Sequence, residues 1–87
     1  MEYDLRVHEK VDKEFKKLEK KDKELLKKVY KKLNQILENP YRYKPLKGDL
    51  HGSRRVHIGS YVLIYETYER EKIIMVIRFA HHDRIYK

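Results

Sequence analysis

The stretch Arg54-Arg55-Val56-His57-Ile58-Gly59-Ser60-Tyr61-Val62-Leu63-Ile64-Tyr65-Glu66 decides the fold. Its apolar residues are Val, Ile, Leu and Tyr, which suit a pleated sheet, and Gly59-Ser60 sits where a tight turn would join two strands. The stretch therefore predicts an antiparallel hairpin of Arg54–Ile58 and Tyr61–Tyr68. Arg55 and His57 share one face of the first strand, and Val56 and Ile58 share the other. Glu69-Arg70-Glu71 then makes a second short connection to a strand over residues 72–80. Strict alternation along it sets Ile73, Met75, Ile77 and Phe79 on one face and Ile74, Val76, Arg78 and Ala80 on the other. Continued past residue 80, the same alternation puts His82 on the Arg78 side.

Towards the amino terminus, residues 41–53 carry Pro45, Gly48 and Gly52 and show no period, so they read as a loop, made basic by Arg42, Lys44 and Lys47 against Asp49. Before it, Asp22 opens a helix with Leu25, Leu26, Val29, Tyr30, Leu33, Ile36 and Leu37 on one face. Asn39-Pro40 ends that helix, because the residue before proline is pushed out of the helical region. Val11, Phe15 and Leu18 mark an earlier helix, and the short Lys20-Lys21 connection makes the two antiparallel. Residues 3–8 alternate, which predicts a strand with Tyr3, Leu5 and Val7 inward. The expected fold is α+β, a single domain over residues 1–87. It has an N-terminal strand, a two-helix antiparallel hairpin, and a three-stranded antiparallel meander completing one small sheet.

A chain of 87 residues has room for one modest core. With 40% hydrophobic residues in clear periods, it is globular rather than disordered. There is no cysteine, which excludes disulfides, thiolate nucleophiles and cysteine-based zinc sites. No signal-like segment or membrane-length apolar run is legible, and a cytoplasmic protein without membrane association is expected. The net charge of +8 points to a polyanion or an acidic protein as partner.

The basic residues divide by type. Residues 1–40 hold eleven lysines and one arginine, whereas residues 41–87 hold four lysines and six arginines. Lysine suits a solvated helix face, and the interspersed Glu14, Glu19, Asp22 and Glu24 favour that reading for Lys16, Lys17, Lys20, Lys27 and their neighbours. The guanidinium fork, by contrast, grips phosphate through paired hydrogen bonds. Four of the five histidines also lie in the second part, so chemistry is expected there.

The strongest constellation is Arg55, His57, His82, Arg84 and Tyr86. An acid and a base that titrate near neutrality, with fixed cations around a phosphodiester, are what transesterification at an RNA phosphate requires. A metal site at His81-His82-Asp83 is disfavoured, because strand neighbours point to opposite faces and no second ligand cluster exists. Ser53 and Ser60 lie in no nucleophile elbow, and three glycines form no phosphate cradle.

Taken together, Asn39-Pro40, Leu46-Lys47-Gly48, the run from Arg54 to Glu66 and the segment from Phe79 to Tyr86 resemble the RelE/ParE superfamily of toxins from toxin–antitoxin pairs, most closely its RelE and YafQ branch. The resemblance covers essentially the whole chain. It implies a ribosome-dependent endoribonuclease that cuts messenger RNA to a 2′,3′-cyclic phosphate, without metal or other cofactor. It also implies a RelB-type antitoxin as partner, and contact with operator DNA only through the antitoxin complex. Carried over by position, the implied catalytic residues are Arg55, His57, His82 and Tyr86, with Lys47 and Arg84 binding RNA or phosphate; Arg54 and Arg78, arginines within the strand runs, are expected to bind RNA or phosphate by their charge. One departure stands out: many RelE proteins have arginine directly after the tyrosine of the third strand, and here that residue is Val62. Two alternatives remain open, a ParE-like gyrase inhibitor that catalyses nothing and an inactive homologue acting as an antitoxin-bound co-repressor.

Overall fold

The computed structural model describes residues 2–46 and 52–85. The chain runs β1 (Asp4–Val7), α1 (Glu9–Lys21), α2 (Lys23–Glu38), β2 (Arg54–Ile58), β3 (Tyr61–Tyr68), β4 (Ile73–His81) and a last turn of helix, α3 (His82–Ile85). The four strands form one sheet in the order β1-β4-β3-β2. The expected meander is present, with β2 antiparallel to β3 and β3 antiparallel to β4, while β1 lies parallel to β4 with Leu5 opposite Ile74 and Val7 opposite Val76.

Both helices cover one side of the sheet because each carries an apolar stripe at helical spacing: Val11, Phe15 and Leu18 on α1, and Leu26, Val29, Leu33 and Ile36 on α2. These residues pack against Val56, Ile58, Leu63, Tyr65, Ile74, Val76 and Phe79 from the sheet, and Tyr3, Leu5 and Val7 close the margin as expected. Phe79 meets Phe15 edge-on at 5.2 Å and stacks on Tyr61 at 5.0 Å. The 41–53 segment returns at its described ends: Leu46 N–H donates to the Ser53 carbonyl and Arg55 N–H to the Lys44 carbonyl, so residues 44–46 run along the outer edge of β2.

One residue joins the helices. The Asp22 backbone N–H donates to the Leu18 carbonyl, closing α1, and its side chain accepts from Leu25 N–H at 3.1 Å, opening α2. His8 opens α1 in the same way, its Nδ1 accepting from Lys10 N–H, while its own N–H extends the β1–β4 ladder to the Val76 carbonyl. Gly59 takes φ +60° between β2 and β3, a conformation that glycine enters at no steric cost. Between β3 and β4, Lys72 adopts φ +56° although it has a Cβ, and its ammonium is tied to the Glu69 carboxylate.

Two expectations need correction. Strict alternation fails in β4, because the register with β3 shifts between Ile64 and Tyr65: Arg78 faces Ile64, but Val76 faces Tyr65. Ile77 is thus the extra residue of a bulge. Beyond it the phase inverts, so Ile74 and Val76 join Phe79 against the helices, while Ile73 and Met75 turn to the other face. The second correction is at His82, which begins α3 rather than extending the strand.

Candidate functional site

The sheet face away from the helices is built by register. Arg55, Ile64 and Arg78 lie side by side across β2, β3 and β4, and His57, Val62 and Ala80 form the next row. Side chains paired across neighbouring strands share a face, so the strand spacing sets Arg55 and Arg78 on the order of 10 Å apart over Ile64. Val62 and Ile64 are buried by Ile85 of α3, with Leu46, Ile77 and Ala80 at the margin. This second apolar cluster roofs the middle of the face and pins α3 to it.

Pinning α3 brings the two histidines together. The His57 and His82 rings lie 6.1 Å apart between centroids, tilted by 36°, with both residues exposed. The His82 N–H donates to the Ser60 carbonyl at 2.8 Å, which fixes where the chain leaves the strand. Asp83 stands between neighbouring imidazoles, 3.6 Å from His82 Nδ1 and 3.7 Å from His81 Nδ1, and its own N–H donates to His81 Nδ1. Two imidazoles on a face that also bears Arg55 and Arg78, open to solvent on one side and backed by an apolar floor, can hold a phosphodiester and exchange protons with it. Among the described residues, no group of three or more His, Cys, Asp or Glu is disposed to hold a metal ion.

The structure thus gathers Arg55, His57, Arg78 and His82 on one face. Arg54 is placed elsewhere. It belongs to the helix-side row with Tyr65, its Nη1 donates to the Tyr43 carbonyl at 2.6 Å, and its guanidinium lies 5.2 Å from the Tyr41 ring centroid. Arg84 lines a depression of about 490 Å³ with Glu14, Tyr61, Phe79 and His81, on the α1 side of β4. Lys47 and Tyr86 lie outside the described residues. Several outer-face lysines are engaged locally, Lys13 with Glu9, Lys16 with Asp12, Lys17 with Glu14 and Lys27 with Glu24, all as exposed i,i+3 or i,i+4 pairs. Such pairs suit a solvated helix surface and contribute only a few tenths of a kcal/mol each.

Sequence reasoning did not anticipate the Val62–Ile64–Ile85 cluster or a basic depression of about 390 Å³ at the outer edge of β2, where Lys32, Arg42, Tyr43 and Lys44 meet Arg55 and His57. The apolar run of β3 was the available signal for the first. The second depends on how residues 42–46 fold back, which no local pattern reveals.

At the opposite end of the sheet, Glu69 gathers the Tyr3 hydroxyl (2.7 Å), the Tyr41 hydroxyl and the Lys72 ammonium. These donors, Lys72 foremost and then Tyr41 and Tyr3, hold the Glu69 carboxyl down at about 2, and the same bonds raise Tyr3 to about 12 and push Tyr41 above its usual range. This cluster stitches the N-terminal segment, the residues after α2 and the β3–β4 turn together, away from the histidines.

One small sheet with a helical hairpin on one side is a fold shared with solved toxins of toxin–antitoxin pairs. The family described as "ParE toxin of type II toxin-antitoxin system, parDE" matches residues 5–86. The chain belongs to the RelE/ParE superfamily of type II toxin–antitoxin toxins. Among individual proteins, it is 41% identical over 86 residues to one from Methanocaldococcus jannaschii named "Putative toxin RelE4", covering 98% of this chain and 92% of that protein. It superposes on the toxin in the intact E. coli RelBE toxin–antitoxin complex with a TM-score of 0.78 at 26% identity, covering 91% of this chain and 95% of that one. The archaeal RelE–RelB complex from Pyrococcus horikoshii shares the fold, with a TM-score of 0.79 at 20% identity over 97% of this chain and 99% of that one.

Proposed function

We propose that this toxin is a metal-independent endoribonuclease that cuts messenger RNA on the ribosome and so arrests translation in the cytoplasm. The observation that carries the reading is the exposed His57–His82 pair, 6.1 Å apart, on the face that also bears Arg55 and Arg78. One imidazole removes the proton from a ribose 2′-hydroxyl, whose oxygen attacks the adjacent phosphorus. The other donates a proton to the departing 5′-oxygen as the P–O5′ bond breaks. The products are a 2′,3′-cyclic phosphate and a 5′-hydroxyl, and Arg55 and Arg78 offset the charge that builds on the phosphoryl oxygens. Lys47 and Tyr86 are proposed to contribute from the segments that flank the site. The relatives solved as RelE–RelB complexes support a RelB-type antitoxin as partner; contact with operator DNA through that complex is part of the proposal.

The test is addition of the purified chain to translating ribosomes, with mapping of messenger ends and of their cyclic phosphates. Codon-phased cuts that vanish in His57→Ala and His82→Ala are expected; intact messenger at a growth-arresting dose sinks the reading.

A second reading, non-enzymatic inhibition of DNA gyrase, is favoured by the match to the ParE family and by Val62, a fully buried residue where many RelE proteins have arginine. Loss of gyrase supercoiling in the absence of RNA cleavage would select it.

A further inference from the structure

The depression at the outer edge of β2 stands apart in its lining. Lys32, Arg42, Lys44, Arg55 and His57 line it with Tyr43 and Val56, and among the described residues no carboxylate lines it. Four other depressions each contain an acid: Glu14 in the two beside β4, Asp12 and Glu19 between β1 and the helices, and Glu19 again between the helices. On a surface where lysines commonly have acidic neighbours, an acid-free concavity is a place where positive potential is focused rather than cancelled.

Its walls are held in place. The Tyr43 hydroxyl donates to Gln35 Oε1 at 3.0 Å, the Tyr43 carbonyl accepts from Arg54, and Lys32 Nζ sits 5.8 Å from the Tyr43 ring centroid. The Lys44 carbonyl is fixed by Arg55 N–H. Arg42 and Lys44 are therefore presented from a backbone laced to β2, so their side chains and not the chain itself must be ordered when an anion binds. The depression also shares Arg55 and His57 with the histidine face, which makes the two continuous.

We propose that this depression is a second phosphate subsite, in which Lys32, Arg42 and Lys44 bind a phosphodiester of the same RNA strand that presents its scissile phosphate to His57 and His82. The inference rests on the endoribonuclease reading and adds to it a path for the strand, from the histidines across β2 and over its edge. It makes the toxin a reader of at least two phosphates of single-stranded RNA, with Arg55 between the two positions.

The test measures binding, not cleavage. A 2′-O-methyl dinucleotide with one phosphodiester and a 2′-O-methyl tetranucleotide with three are titrated into the full chain at several salt concentrations. For the native protein the tetranucleotide is expected to bind at least tenfold more tightly, with a steeper salt dependence. Lys32→Gln/Lys44→Gln is expected to bind the dinucleotide normally and to lose most of the gain with length, its logarithmic salt slope falling by roughly 1.4 for two lost single-strand contacts. The matched double variant Lys16→Gln/Lys20→Gln, on the outer helix surface, is expected to keep the gain. Retention of the gain in the Lys32/Lys44 variant, or equal losses in both double variants, overturns the subsite. A chain that binds with the expected length dependence but never cuts overturns the nuclease reading and leaves the subsite standing; one that cuts without the length dependence does the reverse. Binding of neither oligonucleotide overturns the subsite.

Discussion

His57 and His82 face one another because Ile85 is buried: the turn that carries His82 off the end of β4 is anchored by an apolar side chain over Val62 and Ile64, and the imidazoles come to 6.1 Å as a result. The pairing is a product of packing on the face that bears the charges. The histidine pair and a small hydrophobic cluster share one surface.

Replacing either histidine should therefore be separable from replacing Ile85. His57→Ala and His82→Ala, both at exposed positions, are expected to lower cleavage by about 10²–10⁴-fold with melting temperatures close to that of the native chain. Ile85→Ala should lower cleavage and also stability, by about 2–5 kcal/mol if the site collapses poorly. Single-turnover rates and thermal melts on the three variants decide the matter; an active His57→Ala/His82→Ala double variant is incompatible with the proposed roles.

Tyr65 is fully buried and its hydroxyl donates to the Pro40 carbonyl at 2.6 Å, tying the end of α2 to β3. Burial raises its pKa well above the usual phenol range. Tyr65→Phe leaves that buried carbonyl without its donor and is expected to cost about 1–3 kcal/mol, read as a lower urea midpoint with unchanged m-value. An unchanged midpoint would show that water replaces the hydroxyl.

Asp22 serves two helix ends at once. Asp22→Ala should cost about 1 kcal/mol, and Asp22→Asn much less, because asparagine also accepts the Leu25 N–H. Chemical denaturation of the pair checks this, and equal losses for the two would assign the effect to charge instead of capping.

The Glu69 cluster gives the fold a pH dependence of known sign. The folded carboxyl, at about 2, lies below its ordinary value near 4.5, so its contribution is complete above pH 4.5 and is lost as pH falls towards 2. Tyr3, raised to about 12 from 10, acts in the opposite sense: its contribution is complete below pH 10 and is lost as pH rises towards 12. Glu69→Gln should flatten both limbs of the stability profile. Identical acid and alkaline profiles in native and variant chains would falsify the assignment.

The sequence disclosed most of this architecture through periodicity. The stripes at Val11–Phe15–Leu18 and Leu26–Val29–Leu33–Ile36 admit only helices, and the Gly59-Ser60 turn sets the hairpin register. Alternation failed at Ile77 for a physical reason: residues 73–77 are all apolar, so nothing in their order marks which one the partner strand skips. The four residues of α3 are too few for a helical period to register. Arg54 is the instructive residue of the site. Its charge suggested phosphate, yet its alternation with Val56 already assigned it to the helix side, and alternation outweighed charge. The basic depression beside β2 was illegible because it depends on Tyr43 and Lys44 folding back onto a strand that follows them.

The sheet order β1-β4-β3-β2 makes β4, the last of the described strands in chain order, an interior one. A nascent chain that has emerged only through β3 holds a lone hairpin, a β1 with no neighbour to pair with and helices whose apolar stripes lack half their floor. Such a fragment is too small a sheet to persist. The sheet closes only when residues 73–81 insert between the first and third strands, a long-range pairing. His82 lies directly beyond that strand, so the histidine pair cannot assemble before the sheet is closed: its geometry is contingent on the longest-range contact of the fold.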